Sequence, residues 1–197
     1  AFKYGRVDVR AKLPIDSGTW PAIWMLGKNV NEDGAYFDTD FGTTDWPACG
    51  EIDMMEHGIF PSQSINYIQS TLHTPSSFGN SVDNGGTIAS DLANNYHVYS
   101  LNWSPYQLSF LLDGVVFYTY NPAIKNADTW PFDKEQFLLL NIAMGGIAGA
   151  IDPNFTQASM NIDYVRVYQN TIADTEAPNN FTASVGLVTG TTVELLL

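Results

Sequence analysis

The stretch LSFLLDGVVFYTY, residues 108–120, sets two β-rich runs around Asp113-Gly114. Asp-Gly tolerates positive φ at both central positions of a two-residue turn, and between such runs it is the strongest short-range sign of a β-hairpin. The same pattern continues on either side. In RVDVRAKL (6–13), apolar Val7, Val9, Ala11 and Leu13 alternate with polar Arg6, Asp8, Arg10 and Lys12, as on a half-solvated strand. YHVYSLNW (96–103), QFLLLNIAM (136–144) and MNIDYVRVY (160–168) add further strands, separated by clusters such as TPSSFGNSVDNGG (74–86). Helical periodicity is weak, and ASDLANNY offers at best one turn. Many strands and few helices predict an all-β antiparallel sandwich or barrel.

Composition narrows the partners. Of 197 residues, 21 are Asp or Glu and only 8 are Lys or Arg, a net charge of −13. Nucleic acid and anionic membrane surfaces both require a basic footprint, so neither is an expected partner. No apolar run approaches the roughly 20 residues of a membrane span, so no membrane insertion is expected. The single cysteine, Cys49, excludes an internal disulfide; with no base fixed near it in sequence, it reads as a buried small residue.

GEIDMMEHG (50–58) holds three carboxylates in six positions: Glu51, Asp53 and Glu56. A solvated acidic face is the plain reading, but Ile52, Met54 and Met55 lie between the acids and WPACG precedes them. Metal ligation lacks a His or Asp at zinc-like spacing. On a strand Glu51 and Asp53 share a face, whereas strict alternation sends Glu56 to the other. One extra residue in a β-bulge returns Glu56 to the face of its neighbours. The two glutamates are then four pleated steps apart, about 13 Å between Cα atoms at roughly 3.3 Å per residue. Side chains leaning together close this to about 5–6 Å, near the separation of about 5–5.5 Å used by paired carboxyls in retaining glycoside hydrolysis.

GEIDMME resembles the E-x-D-x-x-E signature of the family-sixteen glycoside hydrolases, in the bulged form of the laminarinases (endo-1,3-β-glucanases). YGRVDVRAKLP, SGTWPAIWMLG, WPACGEIDMMEHG, STLHTP, YHVYSLNWSP, FLLDGVVFYTY, WPFDKEQFLLLNIAMGG and MNIDYVRVYQ are similar to that family in the family's order, together spanning residues 2–169. The resemblance implies a concanavalin A-like jelly roll with a sugar cleft across one sheet. It implies Glu51 as nucleophile, Glu56 as general acid/base, and Asp53 between them orienting the nucleophile. It places Trp20 and Trp46 in the cleft, where flat indoles meet the apolar faces of sugar rings. His73 is a candidate for a sugar hydroxyl or for the acid/base, with a structural histidine the alternative. Trp24, His57, His97, Trp103 and Trp130 read as structural.

Catalysis by such a pair needs no cofactor, but the resemblance implies a structural calcium with Asp163 among its ligands. It also implies N-terminal strands that precede YGRVDVRAKLP in relatives and are not in this sequence. The expected domains are a catalytic domain over 1–169, a linker over 170–180, and over 181–197 either the start of a second β-sandwich module or a flexible tail. The expected activity is retaining endo-hydrolysis of β-1,3 or mixed β-1,3-1,4 glucan by a monomer. The location implied is secreted or cell-surface and bacterial-like, with a signal peptide outside the sequence. A non-catalytic β-glucan-binding protein, an agarase-type enzyme and a structural or adhesion β-sandwich are the alternatives. The few basic residues favour a neutral polysaccharide over a sulfated one.

Overall fold

A computed structural model describes residues 1–32 and 42–169, together with one short pairing of Ser184–Val185 with Leu195–Leu196. The expected linker, 170–180, lies outside the described residues. The strands in chain order are β1 (Gly5–Lys12), β2 (Thr19–Gly27), β3 (Glu51–Glu56), β4 (Tyr67–His73) and β5 (Asn84–Ile88). They continue with β6 (His97–Trp103), β7 (Leu108–Leu112), β8 (Val115–Tyr120), β9 (Gln136–Met144) and β10 (Asn161–Tyr168). One 3-10 turn at Gly146–Ala148 is the only helical element among the described residues. Among the described residues no helix is long and apolar enough to cross a membrane.

Two five-stranded antiparallel sheets result, in the orders β10-β1-β6-β7-β8 and β5-β4-β3-β2-β9. The architecture is therefore the antiparallel β-sandwich of the jelly roll. The period-two pattern of β1 is realised side chain by side chain. Val7, Val9, Ala11 and Leu13 are buried in the interface between the sheets, with Ile23, Met25, Ile52, Met55, Ile68, Leu72, Leu101 and Phe110. At the quoted hairpin, Leu112 pairs with Val115, and Asp113 and Gly114 take φ of 49° and 82°. That is the left-handed pair a type I′ turn demands. Asp113 also accepts a hydrogen bond from the Val98 amide (2.8 Å) and one across to His97 Nδ1 (2.7 Å), tying the turn to β6.

Strand β5 lies partly within TPSSFGNSVDNGG, which reads as pure connection. As an edge strand it needs a partner on one side only, and glycine is tolerated there when a neighbour comes close. Gly86 shows why. A Cβ at that position would stand 1.9 Å from the Tyr67 hydroxyl on β4. Arg6, Arg10 and Lys12 project from the outer face of β1, in the sheet opposite β3, where Arg6 meets Asp8 and Arg10 meets Asp163.

Candidate active site

Strand β3 is the middle strand of its sheet, between β2 and β4. Across to β4, Asp53 pairs with Thr71 and Glu56 with Gln69, so Met54 and Met55 together oppose Ser70. The bulge expected from the spacing is present at that point. Its cause is visible in the packing, because Ile52, Met54 and Met55 all turn into the core. Two consecutive apolar residues cannot both face the core on a regular strand; the bulge lets them, and Asp53 and Glu56 emerge on the other side together. The Ser70 hydroxyl donates to the Met54 carbonyl at 2.7 Å, capping the group that the broken ladder leaves over.

Glu51 receives a hydrogen bond from Trp46 Nε1 at 2.7 Å. Burial pushes its pKa up, while the bonds from Trp46 and Asp53 pull it down. Asp53 is 4% exposed, and its pKa is driven well above the carboxylate range by burial, by the charges of Glu56 and Glu51, and by its bond to Glu51. Asp53, the more buried of the two and the more strongly raised, takes up a proton more readily than Glu51 and in that form donates to it.

Glu56 is 7% exposed, with its pKa raised to about 7 by burial and by the charge of Glu51. Two donors moderate the rise: Thr71 Oγ1 to Oε2 at 3.0 Å and Trp20 Nε1 to Oε1 at 3.2 Å. A carboxyl that titrates near neutrality beside one that stays ionised is the division of labour that acid-base chemistry on a glycosidic oxygen requires.

His73 sits opposite Glu51 in the ladder, not near Glu56. Its Nε2 lies 3.2 Å from Asp53 Oδ2 and 3.6 Å from Glu51 Oε1. The residue that reaches the acid/base candidate from β4 is Thr71. Burial lowers the His73 pKa, and its Nδ1 accepts the Gly79 amide at 3.1 Å, so the neutral ring carries its hydrogen on Nε2, aimed at the carboxyls. Glu51, Asp53 and His73 bring ligand-type atoms within 4.8 Å of one another. That hydrogen occupies the lone pair a metal would need, so the group does not suit a cation.

Tryptophans wall the cleft on both sides of the acids. Trp20 and Trp24 line a pocket of about 170 Å³ with Glu51, Asp53, Glu56 and Asn141. The expectation that Trp24 is core is overturned. Strand β2 keeps strict alternation, so Trp24 shares the cleft face with Trp20, and its Nε1 donates to Asn141 Oδ1 at 2.7 Å. Trp46, 43% exposed, lies beyond Glu51 with its ring 5.6 Å from His73 and 5.5 Å edge-on from Phe78, itself well exposed. Phe78, Asn141 and Thr71 did not stand out in the sequence. For Thr71 a signal exists, since Tyr67, Gln69, Thr71 and His73 follow period two along β4.

The remaining candidates lie elsewhere. Asp163 is on the outer face of the opposite sheet, paired with the Arg10 guanidinium, and it does not belong to the one group of three or more ligand-type residues found among the described residues. The calcium expectation for Asp163 thus finds no cluster of acidic or histidine side chains around it among the described residues. Cys49 is fully buried and its pKa is pushed up to about 11, chiefly by burial, so it is no nucleophile. His57 holds the Tyr67 carbonyl, and His97 bridges Asp113 and the Ser90 carbonyl. Trp103 donates to the Phe132 carbonyl, and Trp130 stacks on Tyr120.

Curated relatives include the glucan endo-1,3-beta-glucosidase A1 of Niallia circulans, 38% identical over 183 residues covering 86% of this chain and 25% of the relative. The keratan-sulfate endo-1,4-beta-galactosidase of Sphingobacterium multivorum is 39% identical over 176 residues, covering 86% of this chain and 37% of the relative. Among solved structures, the laminarinase from Flavobacterium sp. UMI-01 matches with a TM-score of 0.73 at 34% identity, covering 85% of this chain and 68% of that one. The chain thus spans between a quarter and about three fifths of the length of the curated relatives it matches. The family model for glycosyl hydrolases family 16 matches residues 1–166, and to that family the chain belongs.

Proposed function

We propose that the protein is a retaining endo-glycosidase that hydrolyses internal β-1,3 bonds, or β-1,3-1,4 bonds, of a laminarin-like glucan. The observation that carries the reading is the bulge, which sets Glu51 and Glu56 on one face, Glu56 raised to about 7 and Glu51 with the rise from burial opposed by its bonds from Trp46 and Asp53. In this reading Glu51, kept ionised by Trp46 and Asp53, attacks the anomeric carbon while Glu56 protonates the departing glycosidic oxygen. A covalent glycosyl-enzyme forms and the chain on the leaving side departs. Glu56, now a carboxylate, takes a proton from water, which attacks the same carbon from the face opposite Glu51, breaks the bond to Glu51 and returns it as a carboxylate. Two inversions give net retention. Trp20, Trp24 and Trp46 offer flat surfaces to the sugar rings, and His73 steadies the nucleophile pair.

Charge supports a neutral polymer. None of the five strands of the cleft sheet contains a lysine or arginine, and Arg6 and Arg10 face away on the other sheet. A sulfated chain needs such groups for charge-assisted hydrogen bonds. A substrate too large to enter a cell implies action outside it, and every candidate catalytic group comes from one chain, in keeping with a monomer.

The test is proton NMR of laminarin digestion, with Glu51→Ala and Glu56→Ala assayed with added azide. The first-formed sugar should be the β-anomer. Azide should yield an α-glycosyl azide with Glu51→Ala and a β-glycosyl azide with Glu56→Ala. A first-formed α-anomer would overturn the mechanism, and binding without turnover would favour a glucan-binding protein. Faster cleavage of keratan sulfate or carrageenan than of laminarin would overturn the substrate class, an outcome the Sphingobacterium relative makes worth measuring.

A further inference from the structure

We infer that Tyr67, Gln69 and Thr71 on the cleft face of β4 form a hydrogen-bond relay whose polarity makes Thr71 an obligate donor to Glu56. The inference rests on the acid/base reading of Glu56 and adds three positioning residues to it. The Tyr67 hydroxyl donates to Gln69 Oε1 at 3.0 Å. The amide presents its oxygen to Tyr67 and its nitrogen to Thr71, so Gln69 Nε2 donates to Thr71 Oγ1 at 3.3 Å. With its oxygen already accepting, Thr71 turns its single hydrogen to Glu56 Oε2, 3.0 Å away. A lone threonine beside a carboxyl can donate to the carboxylate or accept from the acid with equal ease. The relay removes that choice, because an accepting Thr71 would leave its own hydrogen without a partner in a nearly closed site.

The construction extends to the sheet edge. Gly86 on β5 pairs with Gln69, and only a residue without Cβ leaves space there for the Tyr67 hydroxyl. The Phe60 ring packs edge-on against Tyr67 at 5.3 Å, so the phenol is held from two sides. The relay opposes the burial that raises the Glu56 pKa, and among the described residues Trp20 Nε1 supplies the one other hydrogen bond on that carboxyl. The charged or titratable groups around Glu56 are Glu51 and Asp53 on its own strand, and the neutral His73 on β4. His57, the next residue, is kept uncharged by burial and bound to the Tyr67 carbonyl. No lysine or arginine lies on β2, β3 or β4 to share the task.

A donor lost from a carboxylate destabilises its charged form, so its midpoint rises. The Glu56 midpoint, read by carbon NMR of the carboxyl across pH, should therefore rise by about one pH unit in Thr71→Val. It should rise by less in Tyr67→Phe and Gly86→Ala, where the amide is freed to turn. Gln69→Glu reverses the relay, since its carboxylate accepts the Thr71 hydrogen, and should raise the midpoint as Thr71→Val does. Thr71→Ser keeps the hydroxyl and should titrate as the wild type. The basic limb of the kcat/KM profile on laminarin should follow the same order. An unchanged midpoint in folded Thr71→Val, or in Tyr67→Phe and Gln69→Glu together, overturns the relay. So does kcat/KM depressed equally at every pH. The NMR midpoint is independent of turnover: an inactive wild type would refute the proposed enzyme while leaving the relay decided by the titration alone.

Discussion

Ser70→Ala removes one oxygen from the protein, and it is the oxygen that caps the bulge. The Ser70 side chain is fully buried, and its Oγ lies 2.7 Å from the Met54 carbonyl, a group with no place in the regular β3–β4 ladder. Leaving that carbonyl buried without a donor costs about 1–3 kcal/mol. For a domain of this size 1 kcal/mol moves Tm by about 2–4 °C, so a fall of about 4–8 °C is expected for the middle of that range. The catalytic consequence is separate. A loosened bulge lets Glu56 drift from its place beside Glu51, and misplacement approaching 1 Å costs up to about 100-fold, so a fall of about tenfold in kcat/KM is expected at 25 °C. Ser109→Ala is the control. That serine is also buried and hydrogen-bonded, but it lies on β7 in the other sheet. It should lower Tm with kcat/KM unchanged. The assay pairs thermal unfolding by circular dichroism with initial rates on laminarin. A Tm within about 1 °C of wild type would show that Ser70 does not hold the bulge. A lowered Tm with full activity would show that the bulge does not place Glu56.

Trp46→Phe removes the donor to Glu51, so its pKa rises and the acidic limb of kcat/KM should move up by about one pH unit; an unmoved limb refutes the role. Trp24→Ala should raise KM for long oligosaccharides about tenfold by deleting a stacking surface, and unchanged KM would return Trp24 to a packing role. Glu56→Gln should stabilise the fold at pH 8. The native carboxyl titrates at about 7 against an ordinary 4.5, so its ionisation destabilises the fold progressively as pH rises between those values. The gain in Tm should therefore shrink towards pH 4.5, and a gain independent of pH would refute it. Cys49 should resist thiol reagents at pH 8 until unfolding, being buried with a pKa of about 11; rapid labelling of the folded protein would contradict its burial.

Much of this was legible in local pattern. The alternation of β1 and the Asp113-Gly114 turn follow from backbone chemistry that neighbouring residues decide. The bulge was legible too, because three acids and three apolar residues in EIDMME satisfy both faces of a strand only with one extra residue. Where reading failed, the cause was long-range. The alternation of β2 puts Trp24 on the cleft face with Trp20, but the polar partner that marks it as a cleft residue, Asn141 on β9, is 117 positions away. His73 was a cleft candidate in either reading, but its partner depended on the register of β4 against β3, which one bulge shifts by a residue. The partner that Asp163 has in the structure, Arg10, is 153 positions distant and equally out of local reach. Strand β5 escaped because its two glycines make room for Tyr118 and Tyr67 of two other strands, and nothing within five residues says so.

The central place of β3 also bears on how the protein loses its site. Freeing this strand means breaking the ladders to β2 and β4 together and withdrawing Ile52, Met54 and Met55 from the core. Amides of such a strand exchange with solvent only through openings close to complete unfolding in cost. The carboxyls thus ride on the segment that frays last, while the tryptophan and phenylalanine walls stand on loops and neighbouring strands. On heating, grip on the polymer should loosen first, and chemical competence should persist until the sandwich itself comes apart.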